Sequence, residues 1–128
     1  MEPGLCVDGD WSPESGYAAV TQLLDFGVRR FTAIVAANDH MALGAIRALH
    51  TKGIRVPEDI SVVGYDDLPE SGFFEPPLTT VHHDFAGQGE RSVEVLLRMI
   101  NREPAESQLE LLRPELVIRE STGDAGTA

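Results

Sequence analysis

Cysteine occurs once in the 128 residues, at Cys6, so neither an internal disulfide nor a thiol-based zinc site is available to this chain. The bland role for such a residue is a small buried hydrophobe, and Cys6 is expected in the core. Lysine also occurs once, at Lys52, and ten basic residues stand against twenty-one acidic ones, a net charge of −11. A surface of that sign repels phosphate backbones, and no Lys/Arg cluster works locally against the field. Nucleic-acid binding by this chain alone is therefore not expected. No apolar run approaches the ~18 residues of a membrane-spanning helix. The opening "MEPGLCVDGD" is acidic and lacks the apolar centre of an export signal, which makes the cytoplasm the expected location.

What is present is an alternation of strand-like and helix-like patterns. Residues 5–7 read as a short strand ending in "DGDW". Ser12-Pro13-Glu14 then reads as a helix start, with Ser as cap, Pro in the first turn and Glu at the positive end of the dipole. Ala19, Val20, Leu23, Leu24 and Phe26 follow at helical spacing, and Gly27 supplies a left-handed stop. Residues 31–37 read as a buried strand. Asn38 or Asp39 caps a helix whose apolar face is Met41, Leu43, Ala45, Ile46 and Leu49, closed at Gly53. Residues 60–65 ("ISVVGY") form a third strand, 79–83 a fourth extended segment, 87–101 a further helix and 109–119 a last strand around "ELVIRE". The tail "STGDAGTA" is small and polar and is expected to fray.

Strands separated by helices of about a dozen residues give βαβ crossovers and hence an α/β fold with a parallel sheet flanked by helices. Ligands of open parallel sheets bind outside the carboxyl ends of the strands. The residues following the strands are Asp8, Asp10 and Trp11, then Asn38 and Asp39, then Asp66 and Asp67, then His83, Asp84 and Phe85. Flat apolar rings suit the C–H faces of a sugar. Carboxylates accept paired hydroxyl hydrogen bonds, and an amide both donates and accepts. The set therefore suits a polyhydroxylated neutral ligand, whereas a phosphate would want Lys, Arg or a glycine-rich loop. Each residue also has a purely structural reading. Asn38 and Asp39 cap helices, Asp67 caps a turn, Trp11 fills core and His83 decorates a loop. The adjacent Phe73 and Phe74 in a loop mark a contact surface.

"DGDWSPESGY", "FTAIVAANDHMALGAIRALHTKGIRVPEDISVVGYDD" and "PPLTTVHHDFAGQGERSVEVLL" resemble the effector-binding core of LacI/GalR-type transcriptional repressors, over roughly residues 8 to 119. The resemblance implies part of a periplasmic-binding-protein-like fold, in which two α/β subdomains clamp a small ligand, usually a sugar or a purine. On that basis residues 5–82 belong to the C-terminal subdomain, 83–108 to a segment of the N-terminal subdomain and 109–120 to a returning strand, with no DNA-binding domain in the 128 residues. Trp11 and Phe85 match the aromatics of the cleft, Asn38 and Asp66 its amide and carboxylate toward hydroxyls, and His83 a further polar position. Leu43, Phe73 and Phe74 match the subunit interface, implying a homodimer, and the apolar face of the helix over 87–101 (Val93, Leu96, Leu97, Ile100) needs a covering surface, by dimerisation or segment exchange. The implied partners are a sugar-like effector and a second copy, with operator DNA reached only through a domain outside this chain, and neither metal nor cofactor.

Two other functions use parts of the same pattern. A transport-type sugar-binding protein would share the fold, but the missing export signal speaks against it. A receiver-like phosphoacceptor would use Asp66-Asp67, but needs a further Asp and a Lys at other strand ends, and Lys52 lies near the far end of a helix. Metal binding by His82-His83-Asp84 is disfavoured because neighbours on an extended segment point to opposite faces. No nucleophile–base pair is apparent, and the chain is read as a non-enzyme.

Overall fold

A computed structural model describes residues 5–25, 31–102 and 113–124. Helix α1 spans Pro13–Asp25, strand β1 Ala33–Val35, helix α2 Asp39–Thr51, strand β2 Ser61–Val63, strand β3 Thr80–His82, helix α3 Phe85–Ile100 and strand β4 Glu115–Val117. The described residues fall into two compact units: one runs to His82 and resumes at Leu116, and the other lies within His83–Glu115.

In the first unit β1 and β2 pair in parallel, with Ala33 opposite Ser61 and Val35 opposite Val63. Parallel bridges Val63–Thr79 and Asp66–His82 carry the sheet on to the β3 segment, and β3 pairs with β4. The core lies between this sheet and α2: Ile46, Leu49, Ile60, Val62 and Leu78 are buried together, with Val20 of α1. Helix α2 presents mostly small residues inward. Ala42, Gly44, Ala45 and Ala48 are buried, while Leu43, expected on the apolar face, is partly exposed. Small residues let α1 pack at backbone distance. A Cβ on Gly44 would lie 1.8 Å from the Pro13 carbonyl oxygen, and one on Gly16 would lie 2.1 Å from that of Met41. Three of the expected helix ends are found. The Ser12 hydroxyl accepts from the Ser15 N–H at 3.1 Å, and Asn38 caps α2. Gly53, at φ 71°, follows α2 in the left-handed conformation open to glycine.

Several expectations need correction. Residues 5–7 form no strand: Leu5 and Val7 are half-buried and Cys6 is exposed, so the alternation of an extended chain is there without a ladder. Extended backbone alone produces that alternation, and it turns Cys6 outward instead of into the core. β1 is not buried on both faces; Val35 is 80% exposed and only Ile34 packs against the core. The described part of the tail, residues 121–124, is tied down where fraying was expected. Ser121 is fully buried, its hydroxyl donates to the Val62 carbonyl at 2.6 Å and accepts from the Thr79 N–H at 2.8 Å, and its own carbonyl accepts from the Val62 N–H. Phe26, Gly27, residues 109–112 and the last four residues of the tail, 125–128, lie outside the described residues.

The second unit is built on α3, which begins at Phe85, two residues before the predicted start, capped by Asp84 accepting from the Gly87 N–H at 2.9 Å. Val93, Leu96, Leu97 and Ile100 are exposed on it. Among the described residues no helix is long and apolar enough to cross a membrane.

Candidate functional site

The carboxyl ends of β1 and β2 form one rim. Past the strands the ladder continues, with Ala36 N–H donating to the Val63 carbonyl at 2.8 Å and Asp39 N–H to that of Tyr65 at 2.9 Å. Asn38 and Asp66 therefore stand at equivalent positions, each three residues beyond its strand. Trp11 joins them from the loop before α1: the Asn38 Nδ2 donates to the Trp11 carbonyl oxygen at 3.0 Å. The Trp11 side chain is 65% exposed, which excludes the core-filling role.

Backbone strain collects at this rim. Four described non-glycine residues have positive φ, and three of them are here: Trp11 at 72°, Asp66 at 109° and Asp67 at 53°. For a bulky residue such as Trp this is a genuine outlier, costing about 1–3 kcal/mol, and it persists only where the surroundings over-determine it. Local bonds do so for Trp11. The Asp10 carboxylate accepts from both the hydroxyl and the N–H of Ser12, and the Asp10 N–H donates to the Ser15 hydroxyl at 3.1 Å. Those Ser12 bonds hold the Asp10 carboxyl below its ordinary range.

Asn38 is 5% exposed and its amide is occupied at both ends, Oδ1 accepting from the Met41 N–H at 2.8 Å and Nδ2 holding Trp11. It caps α2 and anchors the aromatic at once. Its neighbour Asp39 turns inward and is fully buried. One Asp39 oxygen accepts from the Thr80 hydroxyl at 2.6 Å, the other from the Ser71 hydroxyl at 2.5 Å and the Leu68 N–H at 2.9 Å. A carboxylate in the first turn of α2 thus ties β3 and the loop after Asp67 to the helix, helped by the positive end of the dipole. Sequence reasoning found the cap but missed this brace, whose partners lie 29 to 41 residues away.

Asp67 is fastened as well. Arg119 Nη2 donates to its Oδ1 at 2.7 Å, and His82 Nδ1 lies 3.0 Å from its Oδ2. Arg119 also went unrecognised in the sequence, because it approaches Asp67 across 52 residues.

The second unit holds the two remaining expected ligand residues. His83 and Phe85 lie with ring centroids 5.6 Å apart and planes tilted by 32°, and the Phe85 N–H donates to the His83 carbonyl at 3.0 Å. The expected interface residues are all in the first unit. Phe73 is 89% exposed, in the 3-10 turn Ser71–Phe73, but Phe74 packs partly against the core, so only one of the pair is a fully presented ring. Leu43 lines a shallow apolar concavity with Pro13, Tyr17 and Arg47. A larger open groove of about 960 Å³ is lined by His50, Gly53, Arg55, Phe73 and Pro76 among others, and lies beside the carboxyl end of α2, away from the Asn38 rim. Among the described residues no group of three or more His, Cys, Asp or Glu is placed to hold a metal ion.

The first unit is thus a parallel sheet with strained polar and aromatic residues gathered on one strand-end rim. The chain belongs to the periplasmic binding protein-like domain family, whose model matches residues 5–122. Its relatives are LacI-type repressors. It is 44% identical over 126 residues to the HTH-type transcriptional repressor PurR of Pasteurella multocida (strain Pm70), covering 94% of this chain and 37% of that protein. To the lactose operon repressor of Escherichia coli (strain K12) it is 45% identical over 122 residues, covering 95% and 33%. Among solved structures it is similar to the transcriptional regulator CelR–cellobiose complex, with TM-score 0.84 and 38% identity over 94% of this chain and 37% of that one. It is also similar to the lac repressor dimer bound to operator and the anti-inducer ONPF, with TM-score 0.80 and 44% identity over 89% and 39%. The chain thus spans about a third to two fifths of the length of these relatives.

Proposed function

We propose that this chain is the effector-binding and dimerisation portion of a LacI-type transcriptional regulator, taking a sugar-like small molecule at the Trp11–Asp66 rim. The observation that carries the reading is the concentration of left-handed, non-glycine backbone at Trp11, Asp66 and Asp67, strain that a merely structural rim would not need. In this reading the Trp11 indole packs on an apolar ring face and the Asp66 carboxylate accepts hydroxyl hydrogen bonds. Asn38 acts chiefly through its hold on Trp11, with its second amide hydrogen toward the ligand. His83 and Phe85, in the second unit, are likewise assigned to the ligand, as a polar and an aromatic contact. A second copy packs at Leu43, Phe73 and Phe74. The cellobiose of the CelR complex makes a sugar the first class to test.

Regulation then follows from differential affinity. An effector that binds one closure state of the whole protein better than another shifts the population between them and so changes operator affinity; by linkage, operator binding changes effector affinity by the same factor. The receiver-like alternative gains nothing from the geometry, since the Asp39 carboxylate is spent on three internal donors and Lys52 caps the far end of α2. The test is a thermal-shift screen of the natural full-length protein against glycosides and purine bases. A ligand that raises the melting temperature, with the rise lost in both Trp11→Ala and Asp66→Ala, is the expected result. A rise that survives both substitutions would remove the site.

A further inference from the structure

Two adjacent residues with positive φ, at 109° and 53°, do not hold themselves in place. Asp67 is tolerant of the left-handed region, but Asp66 lies outside its usual centre near 57°. The side chain that constrains the pair reaches far along the chain. The Asp67 carboxylate takes the 2.7 Å bond from Arg119 Nη2 on one oxygen and faces His82 Nδ1 at 3.0 Å on the other. Arg119 is itself immobilised. Its Nη1 donates to the Leu78 carbonyl at 2.8 Å, its N–H donates to the Thr79 hydroxyl at 2.9 Å, and that hydroxyl donates back to the Arg119 carbonyl at 3.2 Å. The backbone of Asp66 is pinned from the same side, its N–H donating to the Val81 carbonyl at 2.9 Å.

We infer that Asp67 is a positioning residue for ligand binding: locked between Arg119 and His82, it sets the backbone that aims the Asp66 carboxylate. The inference rests on the Trp11–Asp66 reading of the site and adds to it. The two residues that hold Asp67 lie on the segments through which the chain leaves the first unit and returns to it, since that unit runs to His82 and resumes at Leu116. An ordinary turn carboxylate would bond within its own turn; this one is committed 15 and 52 residues away.

The experiment uses the full-length protein, with cellobiose, ONPF, guanine and hypoxanthine as probes in titration calorimetry. Hydrogen exchange across residues 64–70 is measured in parallel on the same variants. Asp67→Ala and Arg119→Ala are expected to weaken the probe that binds by about tenfold, by analogy with the loss on removing a partner that orients a metal ligand. Both should speed exchange at Asp66, while Arg119→Lys recovers part of the affinity because it restores the charge facing Asp67. Arg55→Ala, which breaks an ion pair elsewhere in the unit, is expected to leave affinity unchanged. Should Asp66→Ala abolish binding while Asp67→Ala and Arg119→Ala stay within twofold of wild type, the positioning role is overturned and the site stands. Should Asp66→Ala itself bind normally, or wild type bind none of the probes, the site falls and this inference with it. A variant that has lost its fold shows accelerated exchange throughout; Asp67→Asn, of nearly the same shape, then replaces it, and affinity and exchange equal to wild type in that variant overturn the inference.

Discussion

Removing the Asp39 carboxylate should be among the most damaging single changes in the first unit. Asp39→Ala deprives the Ser71 hydroxyl, the Thr80 hydroxyl and the Leu68 N–H of their common acceptor, at 2.5, 2.6 and 2.9 Å. Hydrogen bonds to a charged group contribute about 1.5–3 kcal/mol each, but the three are not additive. Against them stands the cost of burying an ionised carboxylate, several kcal/mol that the alanine variant no longer bears. Both hydroxyls can turn toward other acceptors; the Leu68 N–H cannot, and orphaning it costs about 1–3 kcal/mol. The net loss should be about 3–4 kcal/mol. Asp39→Asn, which keeps the volume and one acceptor, should lose about half of that. Urea unfolding followed by far-UV circular dichroism reads both, and a double-mutant cycle with Ser71→Ala should show coupling of about 1 kcal/mol or more. A loss below about 1 kcal/mol for Asp39→Ala, with no coupling to Ser71, would refute the view that this carboxylate holds the loop and β3 to α2.

Asn38→Ala should cost about 1 kcal/mol for the lost cap. Asn38→Asp keeps an acceptor for Met41 but loses the donor to Trp11, so hydrogen exchange over residues 8–12 should quicken with little change in unfolding midpoint. Gly44→Ala gains up to ~1 kcal/mol of helix propensity, yet its Cβ would sit 1.8 Å from the Pro13 oxygen and 2.8 Å from the Tyr17 nitrogen. Moving α1 to make room should leave a net destabilisation of about 2 kcal/mol, measured by thermal unfolding. The Asp59 carboxyl, gripped by the Arg55 guanidinium, is lowered to about 2. A depressed folded value means its contribution is complete above the ordinary aspartate pKa, about 3.9, and fades as the pH falls toward the folded value. Carboxyl NMR should find the Asp59 midpoint near 2, and Arg55→Ala should raise it only part of the way to the ordinary range, because the residue 55 backbone N–H still donates to the carboxylate.

Local chemistry was legible in the sequence and long-range chemistry was not. Ser12-Pro13-Glu14 and Asn38 announce helix starts through bonds that close within three residues, and both starts are found. The rim also follows from local order, because parallel pairing of β1 with β2 brings Asn38 and Asp66 level. The inward turn of Asp39 was not readable, since one position decides whether a carboxylate at a helix start faces solvent or core. Nor was the burial of Ser121, in a tail whose composition suggests fraying but whose backbone completes hydrogen bonds with Val62. Val35 and Cys6 misled for the opposite reason: apolar type was taken for burial, although an extended segment covered on one face exposes alternate residues whatever their type.

The most direct test of the rim as a single ligand mouth is a residue-resolved NMR titration with whichever probe stabilises the protein. The indole N–H of Trp11 and the backbone amides of Asp66 and Asp67 should shift along one common binding curve, while Lys52 and Gly53, at the other end of α2, stay still. Shifts gathered around Gly53, Arg55 and Phe73 instead, with Trp11 and Asp66 unmoved, would contradict the account.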